Sequence, residues 1–239
     1  GGAAMFFHLK PERALLCDAN PNLVNAFQEV RWNPEGIITL LRRHQENHTK
    51  NHEYYYEIRS YYNQPVFYPA LEKAAAFIYL NKTCFNGLHR VNKKGQFNVP
   101  KGDYKNPMIL DADMILAAST ALQSVDVRCQ GFQSLEVQPG DFVYVDPPYA
   151  PLSATSNFTG YAGEFGVKQQ TELRDKILEW SATGATCMLS NSTAPIIYDL
   201  YKDFDIQTID AARAINSKGS GRGKIQELVI RPKENVCPV

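Results

Sequence analysis

Short apolar runs and longer amphipathic stretches alternate along most of the chain. The apolar runs are four to six residues long and end at polar residues, which is typical of strands buried in a sheet. The longer stretches have helical periodicity. Because the two alternate, the sequence predicts an α/β fold. The predicted strands are 14–17, 125–129, 142–145, 185–190, 204–209 and 225–230, and the predicted helices are 21–31, 35–49, 66–82, 112–122, 168–181 and 194–202.

The pattern changes between residues 33 and 110. Two helical stretches there frame a tyrosine-rich run, and a Lys94-Gly95 pair follows with Val91 and Phe97 on either side of it. A residue–glycine pair flanked by apolar residues favours a β-hairpin, and the lysine gives this hairpin a basic tip. We therefore predict a separate, mostly helical domain over 33–110 that carries a β-hairpin.

The stretch that ends the strand at 142–145 carries the clearest candidate chemistry. Asp146 is followed by Pro147, Pro148 and Tyr149, and two prolines force the chain to leave the sheet rigidly. An acid, fixed carbonyls and an aromatic ring are thereby placed at the carboxyl end of a strand, where open α/β sheets bind ligands. This set suits a planar amine: two acceptors for its hydrogens and one stacking surface. A strand that simply ends at a capped Pro-Pro turn is the alternative.

Positive charge is concentrated in two stretches although the chain as a whole is neutral. Residues 81–105 hold six lysines and arginines against one aspartate, and residues 213–224 hold four against no acid. Such clusters are what a phosphate backbone requires. The second stretch is also glycine-rich, so that its amides and cations suit DNA phosphates. Ordinary solvated surface charge is the alternative interpretation.

Two features near the start suggest a nucleotide-like ligand. Gly1-Gly2 precede an apolar helical run, and glycines there let a phosphate or another backbone approach closely, although they are equally typical of a linker. Asp18 directly follows the predicted strand at 14–17, and an acid at the end of the second strand of a nucleotide-binding sheet commonly binds a ribose hydroxyl pair. Capping of the following helix by Asp18 or Asn20 is the alternative.

Other classes of protein are disfavoured by composition. The five cysteines are scattered without a CxxC pair, which indicates neither a zinc site nor a disulfide framework, so we expect a reducing cytoplasm and no metal. We also expect no membrane partner, since no apolar run approaches 18 residues.

Taken together, these motifs resemble one family. The Gly-Gly start, the acid at Asp18, the Asn-rich block at 81–100, Asp-Pro-Pro-Tyr at 146–149 and the basic glycine loop at 216–224 occur in that order. This order resembles the Dam-type (D12 class, α-group) DNA adenine methyltransferases, including restriction-modification members that modify GATC, over essentially the whole chain.

The resemblance implies a function and an organisation. It implies transfer of a methyl group from S-adenosylmethionine to the exocyclic N6 amine of adenine in duplex DNA, in GATC, with the base flipped out of the helix. It also implies a Rossmann-like methyltransferase sheet with helices on both faces, formed by 1–32 and 111–239, and a target-recognition domain at 33–110. We expect a monomer in the cytoplasm, at the bacterial nucleoid. The resemblance leaves open whether a restriction endonuclease of the same system is a partner.

The resemblance also assigns roles to individual residues. Asp146, Pro147, Pro148 and Tyr149 would be the catalytic set. The donor would be bound by Gly1, Gly2, Asp18, Gly131, Phe132 and Asp146. DNA would be bound by Asn86, Leu88, Arg90 (the guanine reader), Asn98, Pro100, Tyr104, Lys218, Arg222 and Lys224.

The sequence departs from the family in one feature, and two alternative functions remain. Family members carry a strand with Glu-Pro-Phe before the glycines and, further upstream, Trp-x-Gly-Gly-Lys, and this sequence has neither. We therefore expect this form to bind the donor poorly and to be inactive or weakly active. The alternatives are a methyltransferase for another planar nitrogen, such as cytosine or a glutamine amide, and a DNA-binding module without catalysis.

Overall fold

The computed structural model describes residues 2–64, 69–152, 165–212 and 224–233. The chain divides into two compact units, Gly1–Gly131 and Phe132–Val239. Both units contain helices and strands, so the predicted mixture of α and β structure is confirmed. The single Rossmann-like sheet, the recognition domain and the predicted domain boundaries stay predictions.

The first unit is mainly helical with a small parallel sheet. Its two strands pair in parallel, with Ala14 opposite Val125 and Asp18 opposite Cys129. The elements in chain order are α1 (Ala4–Leu9), β1 (Ala14–Asp18), α2 (Pro21–Trp32), α3 (Pro34–Lys50), α4 (Tyr54–Tyr62), α5 (Ala70–Thr83), a 3-10 turn (Phe85–Gly87), α6 (Ala112–Leu122) and β2 (Val125–Cys129).

Helix starts in this unit follow local capping chemistry. Asn20 accepts a hydrogen bond from the backbone N–H of Asn22 at 3.0 Å, and Pro21 occupies the first turn of α2. Asp111 caps α6 in the same way by accepting from Met114 N at 3.0 Å. The observed bounds of α6 and β2 are those predicted from the sequence.

The core of the first unit is built around α5. Half of its side chains are buried, and Tyr55, Tyr62 and Phe97 pack into the same cluster. A smaller cluster covers the two strands. The tyrosine-rich run, to which the sequence assigned no element, is the helix α4, because Tyr55 and Tyr62 lie seven positions apart and face this core.

The predicted hairpin is much shorter than expected. Val91 and Phe97 form one isolated antiparallel bridge instead of two strands. The turn is closed by the Asn92 side chain, whose Oδ1 accepts from Lys94 N at 2.9 Å and Gln96 N at 3.0 Å, and Gly95 has a φ of +74°. The side chain adds to the backbone hydrogen bonds of the turn, which run from Asn92 N to Gln96 O at 2.8 Å and from Asn98 N to Arg90 O at 3.1 Å.

Within the described residues, the second unit contains a four-stranded mixed sheet and two helices. The elements are a 3-10 turn (Phe132–Ser134), β3 (Phe142–Val145), α7 (Val167–Ala182), β4 (Thr186–Ser192), α8 (Pro195–Leu200), β5 (Asp205–Ala212) and β6 (Lys224–Arg231). The strand order is β3-β4-β6-β5, with β3 and β4 parallel and the other two pairings antiparallel. The core is formed by side chains of the sheet, α7 and the α8 region, and includes Leu173, Trp180 and Tyr201.

No helix within the described ranges combines the length and the apolar content that a transmembrane span requires.

Candidate functional site

The Asp146–Tyr149 segment leaves the sheet at the carboxyl end of β3. Asp146 is exposed, Pro147 is buried, and Pro148 and Tyr149 are half-buried. The carboxylate therefore faces solvent while the backbone behind it is packed. An acid placed this way can accept hydrogen bonds from a ligand without first breaking a buried ion pair.

The Asp146 carboxylate is connected to the neighbouring strand through a serine. Ser190 Oγ donates to Asp146 Oδ1 at 3.1 Å, and Tyr144 donates its hydroxyl proton to Ser190 Oγ at 3.1 Å. Ser190 lies on β4, which is parallel to β3, and only 6% of it is exposed. One carboxylate oxygen is therefore already held by the protein.

The aromatic ring of the segment is tethered at its far end. The Tyr149 hydroxyl donates to Glu227 Oε2 on β6 at 3.2 Å. Burial raises the pKa of Tyr149 above its ordinary value against a smaller opposing effect of a hydrogen bond with Ser190, and the nearby Asp146 and Glu227 carboxylates raise it further. The phenol therefore stays protonated and acts as a donor, which fixes the ring.

A buried pair of amides holds the backbone of the segment. Gln170 on α7 donates to the Pro148 carbonyl at 2.9 Å, and Asn191 donates to Gln170 Oε1 at 3.3 Å. Asn191 Oδ1 in turn accepts from Ala150 N at 3.1 Å. Both amides are at most 1% exposed. The segment is thus held on both sides of Tyr149 by bonds that water does not weaken.

The predicted donor-binding residues are found at element ends. Asp18 is the last residue of β1, and its Oδ1 accepts from Asn20 N at 2.8 Å, so it organises the entry to α2, whereas Asn20 itself supplies the cap. Gly131 is the last residue of the first unit. Gly1 lies outside the described residues, and a Cβ on Gly2 would meet open space.

Phe132 begins the second unit in a 3-10 turn. Its half-buried ring packs edge-on against Phe165 with centroids 6.0 Å apart. A partly exposed aromatic pair of this kind offers apolar surface to a planar base.

The predicted DNA-binding residues of the first unit lie on one irregular stretch. Asn86 and Gly87 both have positive φ, 53° and 62°, and reverse the chain directly after α5. Arg90 donates through Nε to Asn98 Oδ1 at 2.8 Å, so that two predicted DNA-binding residues are bonded to each other. The Arg90–Asn98 pair holds the guanidinium in a defined direction.

Large apolar side chains are exposed along this stretch. Leu88 and Tyr104 are both exposed, as is Phe85, which the sequence interpretation passed over. The Tyr104 ring lies on Gly102, where an added Cβ would come within 2.3 Å of a ring carbon. Pro100 contributes its carbonyl, which accepts from Phe85 N at 2.9 Å.

The basic glycine loop is largely beyond the described residues. Lys218 and Arg222 lie outside them, and Lys224 is the first residue of β6. Their predicted contact with DNA therefore stays a prediction.

The family that the order of motifs resembles agrees with comparisons to known proteins. Residues 1–215 match the model of the D12 class N6 adenine-specific DNA methyltransferases. The chain belongs to this family. Methyltransferases of the family use S-adenosylmethionine as the methyl donor.

Individual proteins that are similar to this chain are named as DNA methyltransferases or DNA adenine methylases. A type II methyltransferase of Lactococcus lactis subsp. cremoris is 44% identical over 237 residues, which are 96% of this chain and 83% of the relative. The DNA adenine methylase of Vibrio cholerae is 36% identical over 233 residues, 96% of this chain and 83% of that protein. The DNA adenine methylase of Escherichia coli K12 is 30% identical over 239 residues, 99% of this chain and 85% of that protein.

Four residues that anchor the Asp146–Tyr149 segment were missed from the sequence. Ser190, Glu227, Gln170 and Asn191 lie 21 to 81 positions from the segment along the chain and belong to no recognised motif. The only available signal was the polar end of an otherwise apolar strand at 190–192.

Proposed function

We propose that this D12-class chain methylates N6 of adenine in GATC sequences of duplex DNA, and that it does so on a base flipped out of the helix. The observation that carries the proposal is the exposed Asp146 carboxylate at the end of β3, on a segment whose ring and backbone are both fixed. Taking one base out of the stack costs roughly a few kcal/mol, and Tyr149 would return part of that by stacking.

The segment suits an aromatic amine for an electronic reason. The lone pair of an aryl amine is delocalised into the ring, which makes it a poor nucleophile. Acceptance of its N–H hydrogens by the Asp146 carboxylate and an adjacent backbone carbonyl at Pro147 would localise the lone pair on nitrogen. The bound donor supplies an electrophilic methyl group on a sulfonium, so that the chain itself needs to orient the amine and exclude water.

Residues for the donor are proposed within each unit separately. Asp18, half-buried at the end of β1, fits a ribose hydroxyl pair as an acceptor, and Phe132 with its partner Phe165 fits the face of an adenine. Gly2 leaves room for close approach, as its open surroundings indicate. We assign Gly1 and Gly131 to the donor from sequence position alone.

Recognition of the DNA site is proposed for the irregular stretch after α5. Arg90 would read guanine bidentately, and Asn98 would hold its guanidinium in place. Leu88 and Tyr104 are exposed apolar groups that suit contact with the bases around the target step. The further contacts are proposed for Asn86, Pro100, Lys218, Arg222 and Lys224.

The choice of GATC rests on the resemblance to Dam-type enzymes and on relatives named DNA adenine methylase. The relative named as a type II methyltransferase also motivates a restriction endonuclease of the same specificity as a partner. Digestion of DNA treated with the purified protein by two GATC-cutting nucleases of opposite methylation sensitivity tests the site directly. Methylation of duplexes in which GATC has been permuted would contradict the assignment.

The role of Asp146 is tested by Asp146→Asn, which keeps the size and removes the negative charge. We expect methyl transfer to a GATC duplex to fall by about a hundredfold or more, because an amide is a weaker acceptor and presents N–H groups of its own. The matched control is Asp203→Asn, an exposed aspartate of the same unit, which should leave the rate unchanged. Full activity of Asp146→Asn would overturn the proposed chemistry.

A further inference from the structure

The Ser190 hydroxyl is the hub of a short hydrogen-bond chain behind Asp146. It accepts from the Tyr144 hydroxyl and donates to Asp146 Oδ1, each at 3.1 Å. Ser190 is almost completely buried, whereas the carboxylate that it contacts is exposed. The serine is thus inside the protein with one polar contact directed outward.

The chain has only one consistent direction. A carboxylate can only accept, and a serine hydroxyl has a single hydrogen. The single Ser190 hydrogen is therefore directed to Asp146, and Tyr144 must donate its own proton to Ser190 Oγ. Tyr149 also forms a hydrogen bond with the Ser190 side chain. Tyr144 therefore orders the serine, and the serine orders the carboxylate.

The consequence concerns which oxygen of Asp146 meets a ligand. The terminal torsion of an aspartate is broad and nearly two-fold, so that an exposed carboxylate rotates freely unless something holds it. With Oδ1 engaged by Ser190, the rotation is restricted and Oδ2 is the oxygen presented for an incoming N–H group.

We propose that Ser190, ordered by Tyr144, is a positioning residue that sets the rotation of the Asp146 carboxylate for the methyl-accepting amine. This inference rests on the proposed function, in which Asp146 accepts a hydrogen bond from the amine. Ser190 does not touch the reacting atoms. Its effect is transmitted through Asp146 Oδ1.

A purely structural role for Ser190 is disfavoured by the contacts around it. β3 and β4 are already joined by parallel backbone pairing from Phe142–Thr186 to Val145–Leu189. The segment beyond Asp146 is held separately by Gln170 and Asn191. The strands and the segment therefore have their own supports, and the serine hydroxyl is left to act on the carboxylate.

The test compares Ser190→Ala, Ser190→Thr, Tyr144→Phe and the double variant Tyr144→Phe/Ser190→Ala in single-turnover methylation of a GATC duplex. We expect Ser190→Ala to slow the reaction about tenfold with unchanged KM for DNA and donor, since a carboxylate that rotates freely stabilises the transition state less without changing how DNA and donor bind. Ser190→Thr keeps the hydroxyl and should recover most of the rate.

Tyr144→Phe should slow the reaction less than Ser190→Ala, by about threefold, since the serine can still reach Asp146 without it. The double variant should be no slower than Ser190→Ala, because the tyrosine acts only through the serine. The matched control is Tyr198→Phe: Tyr198 is 40% exposed against 38% for Tyr144, in the same unit, and its loss should have no effect.

Several outcomes would overturn the inference. These are a wild-type rate for Ser190→Ala, additive losses in the double variant, or a loss that appears in KM alone. If Ser190→Ala fails to fold, Tyr144→Phe decides, and a wild-type rate there overturns the inference. A dead Asp146→Asn with a fully active Ser190→Ala would leave the proposed function standing, whereas a fully active Asp146→Asn would remove both.

Discussion

At the scale of single residues, the candidate site depends on side chains that do no chemistry themselves. The segment Asp146–Tyr149 contains the groups that suit an amine, but its geometry is fixed by Ser190, Gln170, Asn191 and Glu227. Each of these bonds is buried or half-buried, where a missing partner costs more than at the surface. Rigid presentation of the acid and the ring is therefore a property of these neighbours as much as of the prolines.

A second residue-scale feature is a group of histidine and tyrosine rings in the first unit. His44 Nδ1 lies 2.9 Å from the Tyr54 hydroxyl, and the His44 ring stacks on Tyr79 with centroids 4.8 Å apart. Burial, with a smaller contribution from Arg43, lowers the pKa of His44 to about 4. The folded protein therefore holds this ring neutral at pH values where the unfolded chain would protonate it.

The sign of the resulting pH dependence follows from the lowered pKa. Below pH 6.5 the unfolded chain binds a proton at His44 that the folded chain does not bind until about pH 4. Stability is therefore lost as the pH falls through this window, by about 2 kcal/mol at pH 5 relative to pH 7.5.

Urea unfolding followed by circular dichroism at both pH values measures this loss. His44→Phe keeps the stacking and should reduce the pH dependence by about this amount, while the exposed His52→Gln should leave it in place. A remainder is expected from His48 and His89, because burial lowers the pKa of each in the same direction. An unchanged difference between pH 7.5 and pH 5 in His44→Phe would contradict the assignment to His44.

At the scale of elements, the accuracy of prediction depended on whether the decisive pattern was local. The strand β3 and the helix α6 were predicted with the observed bounds because an apolar run and a capping aspartate lie within the segments themselves. The helix α4 was missed, since a run of tyrosines has strand propensity by itself and becomes helical only by packing on α5.

The irregular stretch at 97–99 is also held by α4, and this gives a testable consequence. Asn63, directly after α4, binds both backbone groups of the buried Phe97: its amide donates to Phe97 O and its Oδ1 accepts from Phe97 N, each at 2.8 Å. Asn63→Ala leaves both groups unsatisfied and should lower the free energy of unfolding by about 2 kcal/mol. DNA affinity should weaken as well, because Arg90 is ordered by the adjacent Asn98.

The control for Asn63 is Asn25→Ala, which removes one exposed hydrogen bond to the Ala70 carbonyl in the same unit. This change should cost no more than about 0.5 kcal/mol. Equal destabilisation by the two alanine variants would show that the Phe97 backbone does not depend on Asn63.

At the scale of the whole molecule, charge is distributed unevenly. The formal charge is zero, yet residues 81–105 are strongly basic, so that the rest of the chain is acidic on average. A neutral protein of this kind can bind DNA through a local patch while the remaining surface is repelled. Affinity for DNA should therefore fall steeply as the salt concentration rises.

Lys93 and Lys94 offer a direct measurement of this effect. Both are exposed at the tip of the short turn after Asn92. If both contact phosphates, Lys93→Gln/Lys94→Gln should reduce the slope of log Kd against log salt by about 2, with little change in the rate at saturating DNA. Lys202→Gln, outside both basic stretches, should leave the slope unchanged. An unaltered slope in the double variant would exclude these lysines from the DNA interface.

The sequence by itself determined the class of structure, most element boundaries to within one residue, and the family, and it predicted the chemistry of the Asp146–Tyr149 segment. These depend on patterns within a few residues and on short motifs, where periodicity, caps and proline geometry act locally. The anchors were decided only by tertiary structure. Tyr149 and Glu227 lie 78 positions apart, and Asp146 and Ser190 lie 44 apart. They meet because β4 pairs with both β3 and β6, a strand order that no local pattern encodes.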